Sequence, residues 1–213
     1  MKDIPMFDTD TGVSTLVLKE IPYKQVAYVT VRSVQPGGLQ AHLKECISFC
    51  RMCGAERVYA AGDPRLERWP LHCCVLRLRG SPEHRVPAAS LFPVTEQTVG
   101  QWREIYNQRM GPVDNSATMT ARDEARIISS GGAYFVHDSG QLLGIGWVRD
   151  RELLCVAAVQ PGAGERVLGT LLTLMGDGPA ELEVASTNRR ALRLYERMGF
   201  VTVEEVSRWH QIY

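Results

Sequence analysis

The sequence predicts an α/β (α+β) fold in which a mixed, twisted β-sheet is flanked by helices. An uninterrupted apolar segment, 153–159, is typical of a strand that is buried on both faces. A helical segment, Glu165–Met175, joins it to a second strand, Ala180–Ala185. Because a helix between two strands implies that the strands are parallel, this segment predicts the centre of the sheet.

A smaller N-terminal α/β domain, 1–89, is expected to precede this core, which we assign to a second domain, 90–213. Residues 1–12 are polar and are expected to be loosely held. The proline-containing segment Gly80–Ala89 predicts a linker. The remaining N-terminal elements are predicted as strands over Gly12–Lys19 and Gln25–Val34, an amphipathic helix over Leu39–Cys53, and strands over Arg57–Ala61 and Leu71–Arg79.

The second domain begins with helices and a hairpin. Thr120 followed by Asp123 predicts a helix N-terminus, and Asp138–Gly140 predicts a hairpin turn. The elements predicted here are a strand over Leu91–Val94, helices over Thr95–Arg109 and Thr120–Ile128, and strands over Ala133–His137 and Gln141–Arg149. After the central β–α–β segment we expect a helix over Asn188–Met198 and a final antiparallel pair, Phe200–Val206 with Ser207–Ile212.

Two short sequence matches suggest that the N-terminal domain is a degenerate, partial repeat of the second. Val34–Gly37 and Val159–Gly162 both read Val-Gln-Pro-Gly, and they lie 125 residues apart. In each half a strand, this turn, a helix and another strand follow one another. The first copy lacks the helix predicted at Asn188–Met198, so we interpret it as scaffold.

The turn after the central strand is suited to a phosphate or pyrophosphate. Gly162 and Gly164 allow the backbone to approach a ligand closely. The helix that follows directs its unpaired N–H groups and its positive dipole end toward that ligand. A plain glycine-rich strand-to-helix turn is the alternative interpretation.

The next helix has a recognisable spacing, Asn-x-x-Ala-x-x-x-Tyr-x-x-x-Gly-Phe. Here it comprises Asn188, Ala191, Tyr195, Gly199 and Phe200, with Asn188 as the N-cap and Gly199 as the C′ glycine. Together with the upstream turn, this spacing resembles the GCN5-related N-acetyltransferase (GNAT) family over about residues 91–213. The resemblance implies a GNAT-like fold and an N-acetyltransferase that uses acetyl-CoA as cosubstrate without a metal.

The same resemblance implies roles for individual residues. Tyr195 would donate a proton to the departing thiolate, and Asn188 would contact the cofactor chain. The backbone of the central strand would pair with the pantetheine arm, and the helix start would wrap the pyrophosphate. The cofactor-binding residues implied in this way are Ala157, Ala158, Val159, Gly164, Glu165, Arg166, Val167, Leu168, Gly169 and Asn188.

Direct transfer to a primary amine also requires that the amine lose a proton, because an alkylamine with a pKa of about 10.4 is mostly charged at neutral pH. Glu152 and Glu183 are the candidate bases, and each is equally open to interpretation as a surface carboxylate. The pyrophosphate turn departs from the family pattern, because Val167 stands where a glycine is usual. Arg166 offers a compensating charge. Because the turn departs from the family pattern and no base is identified, a non-catalytic binding module with the same fold is the alternative function.

Composition narrows the partners. Lys+Arg and Asp+Glu are both 24, which does not favour a nucleic-acid or membrane surface. We therefore expect a cytoplasmic monomer or homodimer that acts on a small-molecule or peptide amine. A dinucleotide-binding module is a weaker alternative, because Gly162 and Gly164 lack the third glycine of that fingerprint.

The six cysteines are expected to be free thiols. Cys46, Cys50 and Cys53 have the spacing of an iron–sulfur motif, but spacings of four and seven also place them on one helix face. We favour the second interpretation, since cysteine behaves as a small buried apolar residue. His72 beside Cys73 and Cys74 is likewise interpreted as strand packing rather than as part of a zinc site.

Overall fold

The structure is a computed structural model that describes residues 5–81, 89–176 and 178–213. The chain forms two compact units. One comprises Met1–Cys74 with Val206–Tyr213, and the other comprises Val75–Glu205. The predicted division into 1–89 and 90–213 stays a prediction.

The N-terminal unit is a mixed sheet with one long helix. Strand β1 pairs antiparallel with β2, β2 pairs antiparallel with β3, and β3 pairs parallel with β4. The last residues of strand β11 pair antiparallel with β4. The elements are β1 (Met6–Thr9), β2 (Gly12–Val17), α1 (Ile21–Lys24), β3 (Val26–Val34), α2 (Leu39–Met52), β4 (Arg57–Ala61), a 3-10 helix (Pro64–Arg68), the start of β5 (Leu71–Gly80) and the end of β11 (Phe200–Gln211).

Helix α2 covers one face of this sheet because its apolar side chains recur at helical spacing. Leu39, Leu43, Cys46 and Cys50 are buried against the strands, whereas Cys53 is exposed at the end of the helix. Burial raises the pKa of the Cys46 thiol to about 11, as expected for a neutral core thiol. The three cysteines of α2 therefore do not converge on one point.

The second unit is a mixed sheet in the order β5-β10-β9-β8-β7-β6. Only β9 and β10 are parallel neighbours among its described strands. Its elements after β5 are β6 (Ser90–Pro93), α3 (Val99–Met110), α4 (Ala121–Ser130), β7 (Ala133–Asp138), β8 (Gln141–Arg149), β9 (Glu152–Ala158), α5 (Gly164–Leu172), a 3-10 helix (Thr173–Met175), β10 (Ala180–Ala185), α6 (Arg189–Arg197) and the start of β11.

Helices cover both faces of this second sheet. Trp102 and Ile127, from α3 and α4, belong to one buried cluster, and Leu168 and Leu171, from α5, belong to another. Helix α5 lies close to β8 because Gly144 has no side chain there. A Cβ atom on Gly144 would stand 2.5 Å from the carbonyl oxygen of Ala157 and 2.8 Å from a methyl carbon of Val167.

Several local predictions are confirmed. Thr120 and Asp123 form a capping box at the start of α4. Ser139 and Gly140 have φ values of 48° and 81°, which is the backbone that a tight hairpin turn requires.

No helix in the described ranges is both long and apolar enough to cross a bilayer.

Three sequence expectations need correction or lie outside the described residues. The final antiparallel pair is wrong, because Phe200–Gln211 is one continuous strand. A two-residue hairpin turn needs positive φ values, and the segment has none. Residues Met6–Thr9 are also more ordered than expected, because they form β1 and pair with β2. Most of the predicted linker, 82–88, lies outside the described residues.

Candidate functional site

Strands β9 and β10 begin side by side and then separate. They pair only at Glu152/Glu181 and Leu153/Leu182, although both strands continue for several residues. Within the described chain, the edge of β9 beyond Leu153 therefore has no strand partner on the β10 side. This separation leaves main-chain N–H and C=O groups of β9 available to a ligand.

Alternation along the strand identifies which groups these are. The N–H of Val159 donates to the carbonyl of Leu143 on β8 at 2.8 Å. In an antiparallel pair, successive residues point their polar groups alternately toward and away from the partner strand. Val156 and Ala158 therefore direct their N–H and C=O groups away from β8, whereas those of Ala157 point toward it.

A cleft of about 740 Å³ occupies this region. Its walls come from the end of β9, the turn before α5 with the first residues of α5, one face of α6 along its whole length, and the end of α3. Six of the residues predicted from the sequence to bind the cofactor or act in catalysis line it, namely Ala157, Ala158, Gly164, Glu165, Asn188 and Tyr195. The fold thus brings together residues from three separate segments of the sequence.

The start of α5 offers unpaired donors at one end of the cleft. Gly162 has a φ of 80°, and the N–H of Val167 makes a 2.9 Å bond to the carbonyl of Ala163. The N–H groups of Gly164 and Glu165 precede that bond and have no carbonyl partner within the helix. Gly164 and Glu165 line the cleft, so this helix end is available to an anion.

Asn188 begins α6 and faces the same cleft. Its side-chain oxygen accepts a hydrogen bond from the N–H of Ala191 at 3.2 Å, and its own N–H donates to Ala185 at 2.9 Å. The side-chain oxygen is therefore occupied by capping. The amide nitrogen has no partner among the described residues and can donate to a ligand.

Tyr195 lines the cleft with only 8% of its surface exposed. Its ring lies 6.0 Å from that of Phe200. Burial is the main cause that raises the pKa of Tyr195, and the nearby Cys155 contributes. The Cys155 thiol is itself buried, and burial raises its pKa to about 12. Both groups are therefore neutral at physiological pH, and the phenol can act as a proton donor.

Arginine side chains from α6 give the cleft its charge. Arg189, Arg190, Arg193 and Arg197 all line it, and none makes an ion pair with any residue the structure describes. Glu165 is the one carboxylate in the described lining. The sequence analysis missed these arginines, although the spacing of Arg189, Arg193 and Arg197 at i, i+4 and i+8 places them on one helix face.

A further arginine, Arg109, contributes from the opposite wall. It lies at the end of α3, and its guanidinium donates to the carbonyl of Val159 at 2.7 Å. The main chain of Val159 is thus bonded on both sides, to Leu143 and to Arg109. Because one guanidinium has five N–H donors, Arg109 keeps others for a ligand.

Four residues predicted to bind pyrophosphate lie within α5 and do not line the cleft, namely Arg166, Val167, Leu168 and Gly169. Val167, Leu168 and Gly169 are buried in the helix. Val167 packs into the core, so its bulk does not enter the space before the helix. The side chain of Arg166 forms an ion pair with Asp138 in the β7–β8 turn, which restrains the charge that was expected to compensate for Val167.

The two candidate bases lie elsewhere. Glu152 stands at the other end of β9 and bonds with Arg149 at 2.6 Å. Glu183 bonds with Arg77 at 3.0 Å across β10 and β5. Neither side chain lines the cleft. Their assignment as bases stays a prediction that this geometry does not support.

The loop between α3 and α4 reaches the rim of the cleft. Met110 and Val113 line it, and the carboxylate of Asp114 accepts a hydrogen bond from the hydroxyl of Thr187 at 2.7 Å. Since Thr187 immediately precedes Asn188, this bond ties the loop to the start of α6. The loop therefore forms part of the rim of the cleft beside the start of α6.

Comparison with known proteins gives a consistent fold. No protein-family model matches the chain. A mycothiol acetyltransferase from Acidimicrobium ferrooxidans is 33% identical over 104 residues, which cover 41% of this chain and 34% of that protein. The match thus spans about a third of the length of that relative.

Solved structures are similar over nearly the whole chain. A GCN5-related N-acetyltransferase from Sphaerobacter thermophilus has a TM-score of 0.58 at 15% identity, covering 94% of this chain and 75% of its own. A GCN5-related N-acetyltransferase from Kribbella flavida has a TM-score of 0.57 at 15% identity, covering 99% and 89%. The structural similarity establishes the fold. Identities this low do not establish the activity, which depends on the residues of the site.

Proposed function

We propose that this chain, which has the fold of the GCN5-related N-acetyltransferases, transfers an acetyl group from acetyl-CoA directly to a primary amine in a ternary complex. The observation that carries the proposal is the cleft beside the part of β9 that has separated from β10. It combines unpaired main-chain groups, a helix N-terminus, a buried tyrosine and a set of arginines.

The charge of the cleft fits the cosubstrate. CoA carries a pyrophosphate and a 3′-phosphate, and the cleft is lined by five arginines and one glutamate. Guanidinium groups form paired, charge-assisted hydrogen bonds with phosphate oxygens. The α6 arginines, including Arg193 and Arg197, would hold the phosphates together with the free N–H groups at Gly164 and Glu165.

The strand edge fits the pantetheine arm. This arm contains two amides in an extended chain, and an extended chain can add to an exposed strand edge as a further strand. Val156 and Ala158 would supply the N–H and C=O groups. This arrangement would direct the thioester along β9 toward Cys155 and Tyr195.

Tyr195 would then protonate the leaving thiolate. The neutral amine nitrogen attacks the thioester carbonyl, the carbon–sulfur bond breaks, and the sulfur takes the phenol proton. The proton that the amine nitrogen loses, carried by water, would restore the phenol. Burial holds Tyr195 in its protonated form, as this role requires. Cys155 is protonated as well, so direct transfer is favoured over an acetyl-cysteine intermediate.

A non-catalytic binding module is the second candidate. It is favoured by the position of Glu152 and Glu183, which pair with arginines away from the cleft and leave amine deprotonation to water. If the chain is instead the proposed acetyltransferase, the acceptor would be a small molecule or a peptide and would enter past Met110 and Val113.

Release of CoA thiol distinguishes the two candidates. The 213-residue chain would be incubated with acetyl-CoA and a panel of amino sugars, polyamines and N-terminal peptides, and free thiol would be measured. Enzymatic transfer predicts amine-dependent thiol release that falls about 100-fold in Tyr195→Phe. Tyr134→Phe removes a hydroxyl outside the cleft and should behave as wild type. Acetyl-CoA binding without thiol release for any amine would favour the binding module.

A further inference from the structure

The turn sequence Val-Gln-Pro-Gly occurs in both units, and in each it joins a strand to a helix that leads to a parallel strand. In the N-terminal unit these elements are β3, α2 and β4, and in the second unit they are β9, α5 and β10. If both segments were binding sites, the chain would hold two molecules of cosubstrate.

The two parallel pairs differ in how far they stay together. Strands β3 and β4 are paired at five consecutive positions, from Val26/Arg57 to Thr30/Ala61. Strands β9 and β10 are paired at two. Over Val26–Thr30 the N-terminal pair therefore has no exposed inner edge against which an extended ligand could lie.

A close backbone contact continues this closure beyond β4. Gly62 follows Ala61 directly and has a φ of 98°. A Cβ atom on Gly62 would stand 2.5 Å from the carbonyl oxygen of Val31 and 3.3 Å from its nitrogen. The chain leaving β4 thus packs against β3 one position further along than the ladder itself.

The surface beside the N-terminal turn also has the wrong charge for phosphates. A depression of about 360 Å³ next to Val34 and Gln35 is lined by Asp8 and Asp10, and its described lining contains no basic side chain. The corresponding cleft of the second unit is lined by five arginines.

We propose that the N-terminal β–α–β segment is a closed copy of the binding segment and that the chain holds one acetyl-CoA. Pairing through Thr30/Ala61 and the Gly62–Val31 contact cover the β4 side of β3 as far as Val31, whereas β9 has no strand partner on its β10 side beyond Leu153. The stoichiometry rests on the proposed function, whereas the closure of β3 against β4 is a property of the free chain.

Amide hydrogen exchange and native mass spectrometry test the two parts separately. In the free chain, the amides of 58–61 should exchange slowly, and saturating acetyl-CoA should leave them unchanged. Native spectra should show one acetyl-CoA per chain. Exchange of 58–61 within seconds, protection of those amides by acetyl-CoA, or a second bound molecule at saturation would overturn the proposal. If acetyl-CoA binds nowhere, the proposed function fails, while slow exchange at 58–61 still supports closure.

A pair of glycine variants tests the contact itself. Gly62→Ala and Gly37→Ala both place an alanine at a positive φ. The new methyl group would clash with the carbonyl oxygen of Val31 in Gly62→Ala, whereas no atom lies within 4 Å of it in Gly37→Ala. Gly62→Ala should lower the thermal midpoint by about 4 °C or more beyond Gly37→Ala. Equal midpoints for the two variants would show that Gly62 does not pack against Val31 in solution.

Discussion

Asn188 accepts a hydrogen bond from the backbone N–H of Ala191 at 3.2 Å while its amide nitrogen remains available at the wall of the cleft. One side chain therefore stabilises the start of α6 and faces the ligand space. The two tasks use different atoms of the same amide, so they can be separated by substitution.

Asn188→Ala should lose both tasks, destabilising the chain by about 1 kcal/mol through the lost cap and weakening acetyl-CoA binding. Asn188→Ser should keep the cap, because serine is a good N-cap residue, and should lose only the ligand contact. Urea unfolding and calorimetric titration measure the two effects. Wild-type affinity in Asn188→Ser together with weak binding in Asn188→Ala would mean that Asn188 acts through the cap alone.

The ionisation of Tyr195 should not appear in the pH–rate profile below pH 10. Burial raises the pKa of Tyr195 above its usual value of about 10, so the phenol stays protonated through pH 10. Between pH 8 and pH 10 the turnover of an amine should rise or level off as the free amine accumulates. A decline with an apparent pKa below 10 that disappears in Tyr195→Phe would contradict the burial of this hydroxyl.

Cys155 should not become acetylated. Its thiol has a pKa of about 12, so it is a poor nucleophile at pH 7. Intact-mass measurement after incubation with acetyl-CoA should show no added acetyl group. Cys155→Ala should keep turnover within several-fold of wild type, with the residual change arising from altered packing beside Tyr195. Stoichiometric acetylation that is absent in Cys155→Ala would replace direct transfer by a two-step route.

His42 should make the chain less stable in mild acid. It is fully buried on α2, where its ring nitrogens contact the hydroxyls of Thr9 at 2.8 Å and Ser14 at 2.7 Å. Burial lowers the pKa of His42, and Glu45 and Asp8 oppose the change only in part. Below about pH 6.5 the unfolded chain therefore takes up a proton that the folded chain rejects.

The free energy of unfolding should accordingly fall as the pH decreases below about 6.5 toward the lowered pKa. Urea unfolding at pH 7.5 and pH 5.5 measures this loss. His42→Gln keeps a hydrogen-bonding side chain but cannot titrate, so its loss over the same interval should be smaller. Equal losses in the two proteins would assign the effect to other groups.

The order of elements in the second unit could be predicted from sequence because each element carries a local signal. The apolar run of β9, the cap at Asn188 and the turn at Ser139 and Gly140 are all short-range patterns. Strand was predicted on both sides of Val206, but the division of Phe200–Gln211 into an antiparallel pair was wrong. Residues 201–206 show no buried face by which one continuous strand could be distinguished from a hairpin.

The site was only partly predictable, for reasons of long-range geometry. The resemblance indicated Asn188 and Tyr195, which line the cleft, but it also indicated Val167 and Leu168, which the helix turns into the core. The sequence already implies that Glu152 lies at the far end of β9 from the cleft, because it precedes the apolar segment 153–159 and the glycine turn follows that segment. The contribution of Arg109 depends on how α3 packs beside β9, and no local pattern encodes that distance.

Calorimetric titration of acetyl-CoA into the 213-residue chain tests most directly whether this cleft binds the cosubstrate. The wild-type chain should bind acetyl-CoA. A double variant that combines Arg193→Gln and Arg197→Gln should bind about tenfold more weakly or worse, because two phosphate contacts are lost. Arg122→Gln, which removes an exposed arginine of α4 outside the cleft lining, should leave affinity unchanged. Absence of wild-type binding at millimolar acetyl-CoA, or equal affinity in the double variant, would contradict the placement of the cosubstrate in this cleft.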